Sequence, residues 1–208
     1  MMDRRRALMM AGEESGRIPS IYQEVEWVGT NGQQTRDSAV IETEYAPTSK
    51  PKADFRLQQY QTGSRSVFAI WTANNVYPAW ELYTASGNFY YKWGSSSSNA
   101  GMNSYSTSKW YEISAGISFI VDGSSKVTKT ATDWSNNAKT VKLFYGSYSN
   151  IQCRLGEFKL YDNDVLVRDL VPCYRKSDNR CGFYCLVTNQ FYTCAGAAST
   201  LTKGNDVT

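Results

Sequence analysis

An all-β, two-sheet antiparallel sandwich is the fold class that this sequence predicts, and three observations lead there. From Ile21 onward, short runs rich in aromatic and β-branched residues alternate with turn signals. Within several of those runs apolar and polar residues alternate with a period of two, which is the pattern of a half-buried strand. The chain has 208 residues, 41% of them apolar and 14% aromatic, enough for one sizeable core. An all-β body of that length forms a single domain, so the expected division is an attachment peptide over 1–19 and a sandwich over 20–208.

Residues 3–15 favour a short helix, or at least an arm, because Asp3 can cap a run of Arg, Ala, Leu and Met. Its Leu8, Met9 and Met10 either bury against a partner or fray, since so short a helix is marginal alone. The opening "MMDRRRALMMAG" imitates a secretion signal, but its apolar run stops after about five residues where about 7–15 are needed. No run approaches the ~18 apolar residues of a membrane helix. The expectation is a soluble protein assembled in the cytoplasm of its producer, without membrane insertion. "SGRIPS" then reads as a linker.

The strands follow in order. Candidates are 21–28, 38–44, 53–60, 66–72, 79–84 and 88–93, then a Ser-, Asn- and Gly-rich surface loop over 94–108. In "YEISAGISFIV", residues 111–121, Tyr111, Ile113, Ala115, Ile117, Phe119 and Val121 share one parity, with Gly116 marking either a strand interior or a tight turn. Asp122-Gly123 ends that run at a hairpin turn, with "KVTKTA" as the return strand. After 140–146 comes a second hairpin, "EFKLYD", a turn at Asn163-Asp164, and "VLVRDLVP", with 182–186 and 190–193 closing the set. The carboxylate and amide oxygens of Asp162, Asn163 and Asp164 belong to that turn rather than to a cation site, which needs six or more ligands. Arg168 and Asp169 point to opposite faces, and a structural link to the loop at Arg175 and Lys176 is expected.

Composition removes most catalytic templates. The chain has no histidine, so the usual neutral-pH base, the usual imidazole metal ligand and Ser-His or Cys-His couples are all missing. The formal charge is +3, and the first 20 residues hold four arginines against three acids, leaving a nearly neutral body with no signal for nucleic acid. Cys153, Cys173, Cys181, Cys185 and Cys194 form an odd set without a CxxC pair, so mostly free thiols are expected, with room for one or two bridges among the last four. No metal or other cofactor is expected.

"YQEVEW" poses the sharpest question, because Glu24 and Glu26 project to one face of a strand at a spacing near that of glycosidase carboxylates. A second glutamate three residues further on would complete the pattern of jelly-roll glucanases, but that position is Gly29. The expected role is the solvent face of an edge-proximal first strand, with Tyr22, Val25 and Trp27 divided between core and rim. No catalytic residue is assigned.

The stretches "KWYEISAGISFIVDG" and "LGEFKLYDNDVLVRDLVPCYRKSDNRCGFYCLVTNQFYT" resemble the concanavalin A-like, laminin-G-like jelly-roll domains of gut bacterial phages and prophages. "YDN", "VRD", the "RKSD" loop and the closing "FYT" carry the likeness over most of 151–196, and "YQEVEWVGTNGQQTRDSAVIETEYAPTSKPKADFRLQ" carries it more loosely. Asp37-Ser38 stands where relatives have Asp-Thr, and Cys185 where they have an aspartate, so no ligand contact is carried over to Cys185. The resemblance implies a jelly-roll module of the virion, of a head or tail fibre, that binds host-surface or mucosal glycans without catalysis. The alternative is a purely structural decoration or fibre protein; glycoside hydrolysis ranks third. Expected partners are other virion proteins through 1–19, further copies of the chain, and a glycan.

Aromatic side chains beside polar loops supply the candidate ligand contacts, because sugar C–H faces stack on such rings. These are Trp71, Asn75, Tyr77, Trp80, Tyr90, Trp93 and Tyr105, with Asn74, Asn99 and Asn103 as further hydrogen-bonding side chains. Trp110 reads instead as the structural tryptophan that opens a strand.

Overall fold

The structure is a computed structural model that describes residues 16–30, 34–70, 79–94, 104–107, 109–135, 137–146, 150–197 and 200–208. Its strands in chain order are β1 Tyr22–Glu24, β2 Val28–Thr30, β3 Gln34–Thr35, β4 Ile41–Glu42, β5 Pro51–Gln59, β6 Arg65–Ile70, β7 Ala79–Ala85, β8 Asn88–Gly94 and β9 Tyr111–Ala115. They continue as β10 Ser118–Val121, β11 Ser124–Thr128, β12 Lys142–Leu143, β13 Asn150–Ile151, β14 Cys153–Asp162, β15 Val165–Arg175, β16 Arg180–Cys185, β17 Gln190–Tyr192 and β18 Leu201–Lys203. Among the described residues one short α-helix, α1 Arg36–Ala39, interrupts them.

Two antiparallel sheets form the sandwich. The larger has 11 strands, with main order β11-β10-β9-β5-β14-β15-β16-β17, β1 attached to β15, β2 to β14 and β18 to β2; the smaller runs β4-β12-β6-β7-β8. Alternation fills the space between them. On β5, Ala53, Phe55 and Leu57 point inward, while Lys52, Asp54 and Arg56 point out. Phe55 stacks on Phe158 of β14 at 4.6 Å, and Phe68 of β6 meets both edge-on.

Turn chemistry explains the hairpins. Asp122 and Gly123 have φ of 49° and 75°, and Asn163 and Asp164 of 50° and 64°, the paired left-handed conformations that match a two-residue hairpin to the strand twist. Ser86-Gly87 makes a third such turn between β7 and β8. Asp162 accepts from the Thr48 amide and hydroxyl and the Ser49 amide, at 2.9, 2.8 and 3.1 Å, so its carboxylate anchors a neighbouring loop.

Of the readings left open at Gly116 the tight turn holds: Gly116 and Ile117 turn the chain so that Ala115 pairs with Phe119, 111–121 is two strands, and Ile117 is exposed. Two expectations need correction. The first strand is no edge: the Val25 amide bonds the Pro172 carbonyl on one side, and Glu26 and Val207 exchange bonds with the C-terminal tail and Glu24 on the other. Arg168 donates to the Thr43 and Glu44 carbonyls at 2.9 and 3.1 Å, and Asp169 pairs with Lys159 at 3.5 Å; neither reaches Arg175, which pairs with Asp178.

A small satellite core sits on the outer face of the large sheet, where Ile18 and Tyr22 cover Val171, Cys173, Tyr184 and Phe191. The expected helix over 3–15 lies outside the described residues. All five cysteines are free and buried. Among the described residues no helix is long and apolar enough to cross a membrane.

Candidate functional site

The aromatic side chains singled out from sequence divide sharply. Trp80 is fully buried and Trp93 is 3% exposed; both pack between the sheets, so their rings are core and cannot stack on a ligand. The Trp80 indole N–H donates to the Tyr91 hydroxyl, which in turn donates to the Gly116 carbonyl at 2.5 Å, tying one sheet to the other. Trp93 donates to the Thr130 carbonyl. Tyr105 is buried over Phe89 and donates to the Gln61 carbonyl, so it closes the core rather than facing outward from a loop. Tyr90 is half-buried and stacks on Tyr83 at 5.0 Å, on the outer face of the small sheet near the Glu81–Lys92 pair. Trp71, Asn75 and Tyr77, with Asn74, Asn99 and Asn103, lie outside the described residues.

A cleft of about 430 Å³ opens on the outer face of the large sheet, lined by Glu24, Val25, Glu26 and Trp27 of "YQEVEW". That volume falls within the roughly 300–1,000 Å³ of small-ligand sites. Strand alternation sets its contents: Glu24 and Glu26 turn outward into it, while Val25 between them is 1% exposed and belongs to the core. Arg56 arrives from β5, and Trp110 from the residue before β9.

Glu157 completes the cleft because β14 carries a bulge. Leu155 pairs with Leu57 and Phe158 with Phe55, so the step Gly156-Glu157 faces Arg56 alone. The extra residue lets both Leu155 and Phe158 face the core while Glu157 is aimed outward. Gly156 suits the bulge, since a Cβ there would press on the Arg56 side chain at 3.0 Å. The third carboxylate that sequence spacing left missing at Gly29 therefore comes from a distant strand. Gly29 itself is kept small by packing: a Cβ would lie 2.5 Å from the Cys153 carbonyl oxygen.

One guanidinium organises the acids. Arg17 donates through Nε and Nη2 to the two Glu24 oxygens and through Nη1 to Glu157. Partial burial opposes its charge, but hydrogen bonds and attraction from Glu24 and Glu157 outweigh that and raise its pKa above the ordinary arginine value. Glu26 stands apart, accepting from the amide and side chain of Asn205 at 3.3 and 3.2 Å. Arg56 pairs with the exposed Glu112 at 3.1 Å.

Two tryptophans form the walls. The Arg154 guanidinium lies 4.3 Å from the Trp27 ring centre, and that of Arg56 lies 5.1 Å from the Trp110 ring centre. Trp110 does open a strand, standing directly before β9, and is at the same time a half-buried wall of the cleft. Neither tryptophan was singled out as a ligand contact from sequence. The available signal was the broken parity in "LGEFKL", where Leu155 and Phe158 are three apart, a spacing that strict alternation forbids on one face.

No protein-family model matches the chain, and no curated protein matches it. Among solved structures, a sialidase chain is similar at 13% identity with a TM-score of 0.44, covering 71% of this chain and 20% of its own. This chain spans about a fifth of that one, and a likeness at that level carries no activity with it.

Proposed function

We propose that the chain is a non-catalytic, concanavalin A-like carbohydrate-binding module of a phage virion, held in a head or tail fibre through residues 1–19 and presenting its cleft to host or mucosal glycans. The observation that carries this reading is the Trp27–Trp110 cleft. Its two indole walls bring apolar surface to sugar C–H groups, and its carboxylates offer acceptors to hydroxyls. The sequence resemblance over 151–196 supports the virion placement. Arg17 and Ile18, near the end of 1–19, dock on the body. Glycan-array binding with the full chain, repeated with Trp27→Ala and Trp110→Ala, tests the reading: binding that disappears in both variants while the far-ultraviolet spectrum is kept agrees with it, and binding unaffected by either rejects it. A stable ring or trimer indifferent to every sugar would favour the purely structural alternative.

A second reading, glycoside hydrolysis, has one specific observation in its favour, the convergence of Glu24 and Glu157 on a single guanidinium. Double-displacement chemistry asks both carboxyls to face the sugar, and Arg17 instead bridges Glu24 and Glu157. Oligosaccharide cleavage by the wild type or by Arg17→Ala that vanishes in Glu24→Gln and Glu157→Gln would establish it.

A further inference from the structure

The charge of the cleft differs in sign from that of the chain. The formal charge of the protein is +3, yet the charged residues lining the cleft are Glu24, Glu26 and Glu157 against Arg17 and Arg56, three negative and two positive, a net of −1. The positive groups are also the committed ones. Arg17 spends its Nε and both terminal nitrogens on Glu24 and Glu157, and Arg56 faces Glu112. Glu26 is held by the neutral Asn205 and, among the described residues, forms no ion pair. An acidic group entering between the tryptophan walls would meet an uncompensated carboxylate and find its cationic partners occupied.

We infer that the cleft selects uncharged glycans and rejects those bearing a carboxylate or sulfate, with Glu26 as the residue that sets the discrimination. This rests on the carbohydrate-binding reading above and names the ligand class of the same site. Exclusion acts through like charge in a partly desolvated cleft, so it weakens as salt rises. It also weakens when Glu26 loses its charge while keeping its hydrogen-bonding shape.

The test uses the full chain and matched oligosaccharide pairs: N-acetyllactosamine with its sialylated and sulfated forms, and cellotetraose or chitotetraose with an oligogalacturonate, each titrated at low and high ionic strength. The expected result is binding of at least one uncharged member, with its acidic counterpart at least about tenfold weaker at low salt and the gap narrowing at high salt. Glu26→Gln is expected to narrow the gap several-fold at low salt, read as the ratio of the two affinities within that variant. Equal or tighter binding of the acidic member, or a gap unchanged in Glu26→Gln, overturns the inference and leaves the carbohydrate-binding reading standing. Binding of no sugar in either class overturns both.

Discussion

Arg17 meets Glu24 and Glu157 through separate nitrogens, and its neighbour Ile18 is 8% exposed in the satellite core, so two adjacent residues fasten the N-terminal segment to the body. Arg17→Ala is expected to lower stability by only about 1 kcal/mol, because the guanidinium is substantially solvated. Thermal melts of the variant beside wild type at neutral pH check that magnitude. Asp162 gives a second expectation at this scale. Burial alone would raise its pKa, but bonds from the backbone and hydroxyl of Thr48 and from the Ser49 amide hold it below the ordinary 3.8. A depressed folded value means that its contribution is complete above pH ~4 and is lost as pH falls through the folded value. Asp162→Ala should therefore cost about 1 kcal/mol at neutral pH, after allowance for solvent screening, and nothing at strongly acid pH. The cysteines behave oppositely, since burial pushes the Cys173 thiol up to about 12 and raises Cys153 as well. Thiol reagents are expected to label all five only as fast as the protein unfolds; rapid labelling of any of them in the native state would contradict their burial.

At the scale of elements, the hairpins were the most legible part of the sequence, because Asp122-Gly123 and Asn163-Asp164 are residue types that accept positive φ with little strain. Strand parity was legible wherever alternation is unbroken, as on β5 and at Glu24 and Glu26. It failed where the backbone departs from alternation. Gly116 turned one expected strand into two, and Gly156-Glu157 inserted a residue that re-aims a carboxylate. The tail beside "YQEVEW" was invisible for a different reason: it is brought there by contacts between residues some 180 positions apart, which no local pattern encodes. Gly29 carries the prediction at this scale. Gly29→Ala places a methyl carbon against the Cys153 carbonyl, where backbone cannot yield cheaply, and should cost about 1–3 kcal/mol by chemical denaturation. An unchanged midpoint would mean that β2 and β14 lie further apart than described.

For the whole molecule, one sandwich explains why so many rings serve the interior. Phe55, Phe68, Trp80, Trp93 and Trp134 interlock between the sheets, which is why Trp80, Trp93 and Tyr105, chosen from sequence for their polar neighbours, turned inward. Polar neighbours in sequence mark the end of a strand, and they do not mark which way its side chains point. Tyr91 joins the two layers, and Tyr91→Phe would leave the buried Trp80 N–H and Gly116 carbonyl unpaired, at a cost of about 1–3 kcal/mol in a cooperative melt. The outer face, by contrast, gathers its two tryptophan walls from the ends of strands in different parts of the chain. Their joint role is most directly tested by titrating a binding-competent neutral oligosaccharide against wild type, Trp27→Ala and Trp110→Ala by calorimetry. The account predicts at least about a tenfold loss of affinity in each variant with the melting transition retained; undiminished binding in both would contradict it.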